Sequence, residues 1–170
     1  MSKRATITIR KQYVLADIDS LTYKRTDGVM SDQTDQFKNA VASDSEEELD
    51  KMLLHRFMED RDAQIRARIA FCLVQDEVEE LSATNDPRVS EPDFTYRINV
   101  PDYFTNDTVN ALSRRIHQYL VDGSTYDWYS KQGLSYSVSS EQLDQMLTDI
   151  GVSLRKPFVK RPLQPFGPRF

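Results

Sequence analysis

From Glu46 to Leu81 the chain runs thirty-six residues without a proline or a glycine, and no other stretch restricts the fold as much. Leu49, Leu53 and Phe57, then Ile65, Ile69 and Leu73, keep a four-residue spacing, joined by Met52, Cys72, Val78 and Leu81. Apolar groups so spaced share one face of a helix, which predicts a long amphipathic helix. If continuous it measures about 55 Å, at the ~1.5 Å rise of an α-helix. Ser43 and Ser45 each stand three residues before a glutamate, Glu46 and Glu48, the spacing of a capping box. The glutamates of this first turn also suit the positive end of the helix dipole. The charged patch Glu59-Asp60-Arg61-Asp62 interrupts the stripe, so a kink or a helix–helix turn there is an open alternative.

Around this element the patterns are shorter. Ile7 and Ile9 alternate with Thr6, Thr8 and Arg10, a short half-buried strand over residues 5–10. Val14, Ile18 and Leu21 then fall at helical spacing between Gln12 and Lys24, and Gly28 is available to end that helix. Residues 29–44 form a long polar loop, with one helical turn expected near 35–41. Phe94–Val100 alternates again, ends at Pro101, and reads as a second strand whose expected partner is the first, within one subunit or between two. Thr105 or Asp107 caps a helix carrying Val109, Leu112, Ile116, Tyr119 and Leu120, with Gly123 inside it. A last helix runs from about Ser139 to Leu154. The expected fold is mainly α: an elongated bundle of about four helices with a small two-stranded β element over residues 1–154.

Residues 155–170 differ in kind. They hold four of the seven prolines and five basic residues, with no acid, so taking their +5 from the overall −5 leaves −10 on residues 1–154. Proline removes backbone donors and disfavours helix, so this segment reads as an extended basic arm rather than as part of the bundle. Its apolar groups are poorly used in water. Arg155, Lys156, Phe158, Lys160, Arg161, Leu163, Phe166, Arg169 and Phe170 are therefore the candidate partner-binding residues.

Catalytic and cofactor chemistry finds little support in the residue pattern. His55 and His117 are the only histidines, and neither belongs to a Glu-x-x-His or His-Glu-x-x-His spacing, so no metal centre is expected. The lone Cys72 excludes an internal disulfide and reads as a core residue between Phe71 and Leu73. The five glycines are isolated, so no phosphate-cradling loop forms. No cofactor and no enzymatic activity are expected. Arg61, Arg66, Arg68, Arg114 and Arg115 cluster on the two long helices but alternate with acids, and pairing within each helix is the simpler account. Tyr126, Trp128, Tyr129 and Tyr136 read as a mixed core and interface cluster. No apolar run approaches the ~20 residues of a membrane span, and the start Met-Ser-Lys-Arg lacks the apolar stretch of a secretory signal, so a cytoplasmic origin and no membrane partner are expected. The acidic body argues against general duplex binding.

The order of elements, with Phe94-Thr-Tyr-Arg-Ile-Asn-Val-Pro101 followed by Ala111-Leu-Ser-Arg-Arg-Ile-His-Gln-Tyr-Leu-Val121 and Tyr126-Asp-Trp128, resembles small structural proteins of phages and prophages of Bacteroides-type bacteria. Its specific part is residues 94–129. Those proteins look like head–tail connectors, or adaptors. The resemblance implies a helical subunit of a homo-oligomeric ring, a dodecamer, under the portal protein in the virion neck, assembled in the host cytoplasm. It also implies other neck and tail proteins as partners, contact with DNA passing through the channel, and no catalytic residues. The arm here is longer and more proline-rich than in that family, which leaves its receptor open. Alternatives are another neck or tail role, such as head completion or tail terminator, and a small cytoplasmic nucleic-acid-binding helical protein using the basic arm.

Overall fold

A computed structural model describes the backbone of residues 3–26, 44–74 and 93–155, and the side chains of 3–21, 51–74 and 93–155. Strand β1 (Lys3–Ile9) pairs antiparallel with β2 (Phe94–Val100), Ile7 opposite Tyr96 and Ile9 opposite Phe94. The pairing lies within one chain. Because successive side chains point to opposite faces, Ile7, Ile9, Phe94, Tyr96, Ile98 and Val100 all fall on one face, and all are buried.

Helix α1 (Lys11–Thr26) follows β1 directly, the Arg10 carbonyl accepting from the N–H groups of Tyr13 and Val14. Helices α2 (Asp44–Ile69), α3 (Asn106–Lys131) and α4 (Ser140–Ser153) complete the described elements. The architecture is mainly α, with one small β element. Helix α3 is its centre, packed against α1, α2, α4 and β1. Seven consecutive residues, Tyr119–Thr125, are buried, so nearly two turns of α3 have no solvent face.

Of the two caps expected for α3, Thr105 or Asp107, the structure uses Thr105. Thr105 Oγ1 accepts from Thr108 N–H to cap α3. Ser139 and Gln142 form a reciprocal capping box at α4, 3.3 Å and 2.9 Å. At the far end of α3, Gly133 takes φ +70°; its N–H reaches Ser130 O and that of Leu134 reaches Tyr129 O, a Schellman closure.

Two expectations for the long helix need correction. Helix α2 is one continuous helix through Glu59–Asp62, with no helix–helix turn there, but it stops at Ile69 rather than running to Leu81. Beyond Ile69 the backbone finds better partners on the open edge of β2. Asn99 N–H donates to Cys72 O (2.7 Å), Val74 N–H donates to Arg97 O (2.8 Å), and Leu73 bridges Ile98. Satisfying that edge replaces further helical bonds. The buried face is also rotated from the expected one: Leu54, Met58, Asp62, Ile65 and Ile69 are buried, whereas Leu53 and Phe57 are half-buried. The stripe is not interrupted by the charged patch; it runs through Asp62. The Gly28 stop, the turn near 35–41, the Ser43 and Ser45 caps and residues 75–81 lie outside the described residues.

Candidate functional site

Arg155, the first residue of the basic segment and the last described one, stands two residues after α4. Leu154 is buried and caps that helix, and Arg155 N–H donates to Val152 O. Two other segments converge there. Tyr103, just after β2, donates its hydroxyl to Arg155 O at 2.7 Å, and the Arg155 guanidinium lies 5.9 Å from the centroid of the Phe71 ring, in the turn after α2. Phe71 is 58% exposed and Tyr103 46%, so two exposed aromatic rings stand beside Arg155. Of the candidate partner-binding residues, Arg155 sits in this cluster; Lys156, Phe158, Lys160, Arg161, Leu163, Phe166, Arg169 and Phe170 lie outside the described residues.

Behind this surface, α2 is tied to its neighbours by charged side chains. Buried Asp62 accepts from the Tyr96 hydroxyl on one oxygen and from Arg66 Nε on the other (2.6 Å). Arg66 continues to the Thr95 carbonyl (3.2 Å) and lies 4.9 Å over the Tyr96 ring. Burial, and then the adjacent carboxylate, raise the Tyr96 pKa well above the ordinary phenol range, so the phenol stays a donor. Half a turn away, Arg61 grips Asp127 of α3 with two parallel bonds, 2.8 Å and 2.6 Å, and also reaches Tyr119 OH and Gln64 Oε1. Burial works against that charge, but the hydrogen bonds to Asp127 and Tyr119 outweigh it and hold the guanidinium firmly protonated.

The same side chain explains Gly123. A Cβ there would stand 2.9 Å from Arg61 Cδ and 3.0 Å from Nε. Arg68, two turns on, repeats the arrangement over Gly151 of α4, where a Cβ would meet its Nε at 3.0 Å, and it donates to Thr148 Oγ1 (3.2 Å). Pairing within the helix therefore holds for Arg66 with Asp62, but Arg61 and Arg68 cross to other helices. The sequence signal for those crossings was an isolated glycine inside each facing helix.

The remaining candidates are structural. Cys72 is buried, its Sγ bonded to Ile69 O, and burial pushes its thiol up to about 11, away from nucleophilic use. Tyr129 is buried and stacks on Tyr136 at 5.5 Å, while Tyr136 donates to buried Asp122. His117 Nε2 meets Asp17 Oδ2 at 2.6 Å. Ser113 stands one turn before His117, giving the residue types of a nucleophilic triad, but among the described residues no hydrogen bond joins it to the imidazole. Among the described residues no group of three or more His, Cys, Asp or Glu is placed to hold a metal ion, and no helix is long and apolar enough to cross a membrane.

Two surface clefts stand out. One, about 570 Å³, lies between α2 and α3 and is lined by Phe57, Asp60, Arg61, Gln64, Asp127 and Lys131, cations matched by carboxylates. The other, about 520 Å³, lies where β1 and α1 meet α3 and is lined by Arg10, Tyr13, Ser113, Arg114, His117 and Gln118, with no carboxylate. Comparison of the chain with known protein families, curated proteins and solved structures finds no match.

Proposed function

We propose that this chain is a structural subunit of a tailed-bacteriophage particle: a head–tail connector that forms a ring beneath the portal and fastens to its neighbours through residues 155–170. The observation that carries the reading is the anchoring of Arg155 by Tyr103 and beside Phe71, which launches a basic, proline-rich arm from an exposed aromatic surface. An arm of fifteen further residues reaches at most about 50 Å, enough to cross a neighbouring subunit. Ordering it costs conformational entropy, offset by the large surface that an extended segment covers. In a closed ring each copy offers one surface to the next, so an arm and a socket on different faces suit head-to-tail contacts. Arginine–carboxylate links inside the body favour a rigid base over a moving catalyst.

The test compares the full chain with one ending at Arg155, by light scattering and by incorporation into particles. The shortened chain is expected to keep its helical circular dichroism and its thermal transition while failing to join its partner ring. Incorporation at the level of the full chain would refute the docking role. Labelled protein found at the tail tip or on the capsid surface would refute the connector position.

A further inference from the structure

The cleft between the β1–α1 junction and α3 differs from the rest of the molecule in its charge. Residues 1–154 carry −10, yet this cleft is lined by Arg10, Arg114 and His117 and by no carboxylate. The interior arginines Arg61 and Arg66 are fixed to carboxylates. Arg114 is exposed and has no ion pair among the described residues, and the contact found for Arg10 is a loose one, its guanidinium 5.8 Å from the Tyr13 ring centroid. Asp93 accepts the Lys11 N–H at the start of α1, and Asp17 is bonded to Nε2 of His117 on the cleft wall, which leaves Arg10 and Arg114 as the lining cations with no carboxylate partner among the described residues. Two arginines thus line one open cleft beside the start of α1, an arrangement that attracts an anion.

The other half of the cleft is not ionic. Tyr13 is 56% exposed, and buried Ile9 lies beside it on the cleft wall. Ser113 and Gln118 add hydrogen-bonding groups along α3. A volume of about 520 Å³ falls inside the ~300–1,000 Å³ range of small-ligand sites. A simple carboxylate would use the arginines and leave the tyrosine idle. Duplex DNA would need many more phosphate contacts than two arginines provide. Two cations beside one exposed aromatic face match a phosphate carrying a planar ring, since base–aromatic stacking and phosphate neutralisation are the two elements of single-strand recognition.

We propose that this cleft binds one nucleotide unit, with Arg10 and Arg114 holding the phosphate, Tyr13 stacking on the base, and Ser113 and Gln118 placed to bond its polar edge. A free nucleotide and a single strand both supply such a unit; the chemistry recognised is the same. The inference does not depend on the connector reading, and the arm stays in place when it is tested.

The full chain is titrated at low salt with thymidine monophosphate, by calorimetry, and with a fluorescein-labelled oligothymidylate, by anisotropy. Arg114→Ala and Tyr13→Ala are each expected to weaken binding about tenfold, and Tyr13→Phe to retain it. Both altered positions are exposed, so circular dichroism should stay unchanged. For the oligomer, Arg114→Ala should also lower the slope of log K against log salt by about 0.7. Equal dependence on these residues with both probes identifies a free nucleotide as sufficient; binding of the oligomer alone identifies a strand. Absence of binding to either probe overturns the proposal. So does binding that ignores both alanine variants and disappears in the chain ending at Arg155, because the arm is then the binding element.

Discussion

Removing one oxygen from the core should reveal how much the buried Asp62 depends on Tyr96. The Tyr96 side chain is 0% exposed, and its hydroxyl donates to Asp62 Oδ1 while Arg66 serves only the other oxygen. Tyr96→Phe keeps the ring, its packing and the Arg66 contact but leaves Oδ1 without that donor. A hydrogen bond to a charged group contributes about 1.5–3 kcal/mol, so the expected loss is near 2 kcal/mol. For a chain of this size that lowers Tm by about 4–8 °C and the urea midpoint by about 1 M. Asp62→Ala should cost more, since it also leaves the Arg66 guanidinium without its carboxylate. The two changes together should cost less than their sum, because the second removes a group whose partner is already gone. A Tyr96→Phe loss under about 0.5 kcal/mol, or strict additivity in the double variant, would refute the argument that this pair is coupled.

Gly123→Ala should change sign with its neighbour. Helix propensity alone favours alanine by about 1 kcal/mol, but the new Cβ would lie 2.9 Å from Arg61 Cδ, in a side chain that Asp127 clamps. A net loss of about 1–2 kcal/mol is expected from that overpacking; in an Arg61→Ala background the same change should stabilise by about 1 kcal/mol. Stabilisation by Gly123→Ala in the unaltered chain would mean that Arg61 is free to move aside. His55 gives a pH dependence. Its pKa is lowered below 6.5 by burial, then by Lys11, against a smaller opposing effect of Glu59. The folded state therefore binds fewer protons than the unfolded one between the depressed value and 6.5, so stability is fully present above 6.5 and falls as pH drops through that window. Urea midpoints across the window should fall toward acid, and His55→Asn should flatten the slope; an identical slope in the variant would show that other groups carry it.

The local elements were legible because their signals are local. Alternation over Phe94–Val100, a cap at Thr105 or Asp107 and a helix start near Ser139 each rest on a few consecutive side chains; the structure has the strand at 94–100, takes Thr105 as the cap and starts the last helix at Ser140. The end of the long helix was not legible, because Ile69 is followed by residues that suit a helix as well as a strand edge. Its stop depends on β2, whose open edge takes the backbone of Cys72 and Val74. The buried face was misread for a related reason. Counting apolar residues assigns Asp62 to solvent, whereas its burial follows from Tyr96, thirty-four residues away. Of the cleft, the sequence offered Arg114 only as one of five arginines clustered on the long helices; Arg10 and Tyr13 join it only once β1 and α1 pack on α3.

Three arginines of α2, two partly buried and Arg68 exposed, each fasten a different element. Arg61 reaches Asp127 of α3, Arg66 reaches the Thr95 carbonyl of β2, and Arg68 reaches Thr148 of α4. Such links add little net stability compared with well-packed apolar substitutes, because charges lose hydration on burial. Their effect is positional. Sliding α2 by one residue would take Arg61 from Asp127, carry Asp62 from the Tyr96 hydroxyl and drive Arg68 off Gly151 at once, so wrong registers are penalised together. The consequence falls on the arm's root. Phe71 lies two residues after α2, Tyr103 three after β2, and Arg155 two after α4, so locking those three elements to one another also fixes the two rings around the point where the basic arm departs. On the proposed docking role, residues 156–170 would need a first residue held reproducibly, and the links of α2 hold Arg155 and its two rings in that way.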